Sequence, residues 1–111
     1  MKNLFLDDLR TIDMVYPNFN PQDWKIATTY FEFIRLITQL GMPQYISFDH
    51  DLGLESVDRS GQEKTGYDCA KWLVDYCLDN DYELPKWKVH SANPVGRANI
   101  EAYLNNFDKF K

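Results

Sequence analysis

The chain is poor in several of the residues that most readily classify a small protein. It holds two cysteines, Cys69 and Cys77, and two histidines, His50 and His90, in 111 residues. That excludes a disulfide-stapled scaffold and gives no recognisable zinc spacing. Both cysteines fall in one stretch that reads as a helix, with Cα atoms about 12 Å apart by the helical rise, beyond disulfide reach. They are expected to be buried thiols in a reducing compartment. Basic residues are also in the minority, with 12 Lys and Arg against 17 Asp and Glu and a formal net charge of -5. No basic surface is available to displace counterions, so an extended nucleic-acid interface is not expected. No apolar run approaches the length of a membrane helix. Met1-Lys2-Asn3-Leu4 passes straight into a strand and two acids, which does not read as a signal peptide. The expectation is a cytoplasmic protein without a membrane partner.

What is present is enough to fold. Hydrophobic residues make up 44% of the chain and aromatic ones 15%, well above the disordered range. The length suits a single domain spanning 1–111. Residues 2–7 read as a short strand buried on both faces. Residues 9–23, with Pro17, Asn18, Asn20 and Pro21, read as a loop with at most a helical turn. Residues 24–30 alternate and are β-prone, and 31–40 have helical spacing that Gly41 and Pro43 end. A strand follows at 44–49. The polar segment Leu52 to Thr65 is long for a connection, which points to a functional or mobile loop. Residues 67–80 read as an amphipathic helix, 86–89 as a strand, and Val95 to about Phe107 as a last helix with Asn93 as its N-cap. This alternation predicts an α/β fold: a small three-layer, mainly parallel sheet of four strands with helices on both faces. No fifth strand is visible. Trp24, Trp72 and Trp87 are expected in the core, since no basic stripe accompanies them.

Three strands run directly into polar, metal-capable residues. Leu4-Phe5-Leu6 ends in Asp7-Asp8, Tyr45-Ile46-Ser47-Phe48 in Asp49-His50-Asp51, and Trp87-Lys88-Val89 in His90-Ser91-Ala92-Asn93. If the strands are parallel neighbours, these ends share the carboxyl edge of the sheet, where ligands bind in open α/β folds. Carboxylates gathered there repel one another unless a cation or protons intervene. Asp7, Asp8, Asp49 and Asp51 are therefore candidate ligands for a hard divalent cation, Mg2+ or Mn2+. In an extended segment Asp49 and Asp51 point the same way and His50 away. His50 enters the site only if the strand has already ended; otherwise its ring takes a structural hydrogen bond. His90 is a candidate general acid or base. Ser91 is a candidate phosphate ligand or nucleophile, although no triad surrounds it. Asn93 caps a helix whose N-terminus can hold an anion. Thr65 is a candidate cap and Gly66 a point of close backbone approach. Arg10 and Arg97, just past strand-end clusters, are candidate phosphate forks.

These residues resemble two related families. Leu6-Asp7-Asp8 after the first strand and Asp49 after the third are similar to the receiver domain of response regulators. That resemblance implies metal binding by Asp8 and Asp49 and phosphorylation on Asp49. The chain departs from it at His50-Asp51-Leu52-Gly53, which lacks the usual proline turn, and in having no fifth strand with its lysine. The runs Leu6-Asp7-Asp8-x-Arg10, Ile46-Ser47-Phe48-Asp49-His50-Asp51-Leu52-Gly53, Thr65-Gly66-Tyr67-Asp68 and His90-Ser91-Ala92-Asn93-Pro94-Val95-Gly96 more closely resemble the receiver-like domains described as cyclic-phosphate-processing. Thr11 to Trp24 matches poorly. The resemblance implies a flavodoxin-like fold and a metal-dependent phosphoesterase acting on a cyclic phosphate, such as a 2′,3′-cyclic nucleotide or an RNA end. Asp7, Asp8, Asp49 and Asp51 would hold the cation, with His90, Asp49 and His50 at the chemistry. Arg10, Thr65, Gly66, Ser91, Asn93 and Arg97 would contact the phosphorylated ligand. The rival expectations are a signalling receiver phosphorylated on Asp49 and a phosphate-binding module without turnover.

Overall fold

The computed structural model describes residues 1–52 and 56–109. Four parallel strands, β1 (Asn3–Leu6), β2 (Trp24–Ala27), β3 (Tyr45–Phe48) and β4 (Lys86–Val89), form one sheet in the order β2-β1-β3-β4. The helices are α1 (Ile12–Val15), α2 (Tyr30–Leu40), α3 (Gly66–Asn80) and α4 (Pro94–Lys109). This is the flavodoxin-like receiver topology, with helices on both faces. Among the described residues there is no fifth strand. The chain leaves β1 towards β2 on one side and returns past β1 to β3 on the other. Right-handed crossovers therefore place α1 and α2 on opposite faces, and they leave a switch point between β1 and β3.

The two faces are covered unequally. Leu4 and Leu6 of β1, Ala27, Ile46, Phe48 and Val89 point to one side, where they pack with Phe33 and Ile37 of α2, Leu73 of α3, and Ile100 and Leu104 of α4. All but Val89, which is nearly so, are fully buried, and removing this apolar surface from water is the main driving force for folding. Alternation sends Phe5 and its register partner Ser47 to the opposite face. There they meet the aromatic group of Trp24, Tyr45 and Tyr16, the last just after the four-residue α1. Trp72 and Trp87 pack against the main core, as expected of them. Cys69 and Cys77 are buried and not joined to each other.

One segment differs from the sequence reading, and a second is defined more closely. The β-prone run from residue 24 ends at Ala27, because Thr29 caps α2: its Oγ1 accepts from the Glu32 amide at 3.0 Å, and Glu32 Oε1 accepts from the Thr28 amide at 3.0 Å. The cap satisfies the Glu32 amide, a helix-end donor that a longer strand would leave unpaired. Residues 56–65, part of the segment read as a functional or mobile loop, form a turn held by hydrogen bonds. Val57 bridges Glu63 antiparallel, and Asp58 Oδ1 accepts from the amides of Ser60 and Gln62 at 2.9 and 3.0 Å. Ser56 is fully buried and its Oγ accepts from the Tyr30 amide. The rest of that predicted loop, at 53–55, lies outside the described residues.

Candidate metal centre

The switch point brings together the residues that close β1 and β3. Asp7, whose amide still donates to Ala27 O at 3.1 Å, keeps the alternation of Phe5 and faces Asp49, the continuation of Ser47. Asp49 N donates to Leu6 O at 2.9 Å and His90 N donates to Phe48 O at 2.9 Å, which carries the parallel pairing one step past each strand. Asp7, Asp49 and His90 thus converge, with one ligand atom from each lying within 4.8 Å of the others. Asp7 is 2% and Asp49 5% exposed.

Asp7 is held from four directions. Its Oδ1 accepts from the amides of Leu9 (2.9 Å) and Arg10 (3.0 Å), while Oδ2 accepts from Arg10 Nη1 (3.3 Å) and His90 Nε2 (2.9 Å). Burial pushes its carboxyl up, but these donors outweigh burial and hold it below the ordinary carboxylate value. Asp49 shows the reverse. Burial and then the charge of Asp7 push its carboxyl up, against the Ser91 hydroxyl, the His50 amide and His90. Arg10 Nη1 also lies 3.7 Å from Asp49 Oδ1, so one guanidinium spans both acids. His90 is lowered by burial, against the pull of Asp7 and Asp49. Its ring stacks flat on Phe5, with centroids 4.6 Å apart.

A cleft of about 270 Å³ opens over this centre, lined by Asp7, Leu9, Arg10, Asp49, Asp51, Ser91, Ala92 and Asn93. His90 has no face on it and reaches it through Asp7. Asp51 accepts from His50 Nδ1 at 2.8 Å, and that contact holds its carboxyl low. His50 itself packs against α4: a Cβ on Gly96 would lie 2.3 Å from its ring. Asn93 caps α4 through Oδ1, which accepts from the Gly96 amide at 3.0 Å, and turns Nδ2 to Asp51 at 3.4 Å. Ser91 Oγ accepts from the Asn93 amide at 3.1 Å.

The remaining candidates lie elsewhere. Asp8 is absent from both the convergent cluster and the cleft wall, yet its Oδ1 is buried without a hydrogen-bond partner. Thr65 caps α3 in a reciprocal box with Asp68, and Gly66 brings that helix against the Asp49 carbonyl, so both act behind the cleft. Arg97 pairs with Glu101 at 3.4 Å on the surface of α4. Sequence reasoning overlooked Ser47, Tyr16 and Tyr45. Ser47 Oγ lies 2.7 Å from His90 Nδ1 and accepts from Tyr16 Oη at 2.9 Å, and Tyr16 Oη lies 2.7 Å from Tyr45 Oη. The available signal was a lone hydroxyl at the centre of an apolar strand.

The donor set fits a divalent cation. The two carboxylates suit Mg2+ or Mn2+, and the imidazole suits a transition ion better than Mg2+. The 2.9 Å between His90 Nε2 and Asp7 Oδ2 is close to the edge of about 3 Å expected between neighbouring ligands of an octahedral ion with bonds near 2.1 Å. Asp49, raised by burial and then by the charge of Asp7, is a buried acid short of compensating charge.

A family model described as a cyclic-phosphate processing receiver domain matches residues 2–106. A search of curated proteins and a search of solved structures found no match.

Proposed function

The chain belongs to the cyclic-phosphate-processing receiver family, and on that premise we propose that it is a metal-dependent phosphoesterase that opens cyclic phosphates such as 2′,3′-cyclic nucleotides or RNA ends. The observation that carries the proposal is the convergence of Asp7, Asp49 and His90 beneath a polar cleft at the switch point. These three residues would hold Mg2+ or Mn2+. A bound cation of this kind polarises a phosphoryl group and acidifies a water.

The chain's own residues do the rest. Arg10, with a third of its side chain exposed, neutralises Asp7 and Asp49 in the cation-free site. With the two acids neutralised by a cation, the Arg10 guanidinium would be available to a phosphate as a planar fork. Ser91 and Asn93 present a hydroxyl and an amide on the same wall. His90, lacking a face on the cleft, orients Asp7 and offers Nε2. His50, packed against α4 behind the cleft, holds Asp51 in place on the wall through Nδ1.

The test is hydrolysis of 2′,3′-cyclic nucleotides with Mg2+ or Mn2+, compared with Asp49→Asn and His90→Ala. Both substitutions are expected to abolish a metal-dependent rate. Turnover at the full rate in either would overturn the assignment, and an acid-labile phosphoryl adduct on Asp49 would indicate a signalling receiver instead. Metal-dependent ligand binding without turnover would reduce the protein to a binding module.

A further inference from the structure

The line of hydroxyls behind His90 has a defined direction. A carboxylate only accepts hydrogen bonds, so the 2.9 Å contact with Asp7 requires a proton on His90 Nε2. In the neutral ring, Nδ1 must then accept, and its neighbour at 2.7 Å is Ser47 Oγ. Ser47 has one proton and gives it to His90, so Tyr16 must donate to Ser47. Tyr16 is then spent, and the 2.7 Å contact with Tyr45 requires Tyr45 to donate. The four donors point one way, from Tyr45 to Asp7. Tyr45 is half-buried and lines a second cleft with Leu84, Pro85 and Lys86.

A cation held by His90 Nε2 demands the opposite arrangement, because a metal-ligating nitrogen carries no proton. The ring proton must then sit on Nδ1, and Ser47 must accept from it. A hydroxyl serves in both states because it both donates and accepts. Alanine serves in neither.

We propose that Ser47 is a positioning residue whose hydroxyl reverses its role when the centre is loaded, with Tyr16 and Tyr45 turning with it. The proton count balances. Nε2 releases one proton to the cleft, Ser47 passes its proton to Nδ1, Tyr16 passes one to Ser47, Tyr45 passes one to Tyr16, and Tyr45 takes one from water. His90 stays neutral throughout. This inference rests on the proposal that Asp7, Asp49 and His90 hold a cation, but it does not require turnover.

The test is nitrogen NMR of the histidine-labelled chain, with the affinity for Zn2+, a diamagnetic ion suited to imidazole, measured by calorimetry. Without metal, His90 is expected to carry its proton on Nε2; with saturating Zn2+, on Nδ1. Ser47→Ala is expected to lower Zn2+ affinity by about tenfold or more, the usual effect of removing a partner of a ligating histidine. Ser47→Thr, which keeps the hydroxyl, is expected to restore it. Zn2+ binding with His90 still protonated on Nε2, or with unchanged affinity in Ser47→Ala, overturns the inference and leaves the metal centre standing. Failure of the unsubstituted chain to bind Zn2+, Mg2+ or Mn2+ overturns both. The tautomer measurement on that chain needs no variant to fold.

Discussion

At Asp49 burial and the charge of Asp7 act in the same direction, raising the carboxyl above its ordinary value. The folded chain therefore holds that proton more tightly than the unfolded one. Stability falls as pH rises from the unfolded value through the folded one, and at neutral pH the ionised group is a net cost. Asp7 has the opposite sign. Its lowered value contributes stability that is present above the unfolded value and lost as pH falls through the folded one. Asp49→Asn is thus expected to stabilise the metal-free protein at neutral pH by about 1 kcal/mol, the size usual for a single substitution. The gain should vanish in acid, where Asp49 is protonated in both states, and urea unfolding at the two pH values checks this. Residues that weaken the fold and serve a ligand are expected to coincide at such a site.

At the scale of elements, the site depends on two helix starts packed hard against the end of β3. Gly66, the first residue of α3, donates its amide to His50 O at 2.7 Å. A Cβ there would stand 1.8 Å from the Asp49 carbonyl oxygen and 2.8 Å from its carbon. Those are backbone atoms and cannot swing aside, so α3 would have to back away from the strand that carries Asp49. Gly66→Ala is expected to cost at least about 1–3 kcal/mol, as overpacking does, measurable by chemical denaturation. At Gly96 the obstacle is the His50 ring, at 2.3 Å. Strand and helix identities were readable here from apolar periodicity and from caps such as Asn93. The Thr29–Glu32 cap was equally present in the sequence, but β-prone residues beside it obscured the boundary. The short reach of Asp51 to His50 was not readable, because alternation places these neighbours on opposite sides only while the strand continues, and β3 stops at Phe48.

For the whole molecule, a cation that binds only the folded state adds stability by mass action, about 2.7 kcal/mol at a hundredfold excess over its dissociation constant. Saturating Mn2+ is expected to raise the melting temperature at neutral pH. The rise should shrink as pH falls and protons compete for Asp7 and Asp49, and calorimetric scans across pH measure it. Among the described residues no helix is long and apolar enough to cross a membrane, consistent with the absence of such runs in the sequence. The sequence by itself determined the alternating α/β order, the parallel sheet and the three polar strand ends, because apolar periodicity and turn residues act locally. It determined the family as well, through motifs spread along nearly the whole chain. Only the tertiary structure decided that Asp7, rather than Asp8, meets Asp49 and His90, since the register of β1 on β3, continued past Leu6, sets which acid faces Asp49. It alone placed Arg10 across both acids and ran Ser47, Tyr16 and Tyr45 behind His90; the Arg97–Glu101 pair, four residues apart on α4, follows helical spacing. The Arg10–Asp49 and Ser47–His90 contacts join residues distant in the chain, and no local pattern encodes which atoms will face one another once two strands are paired.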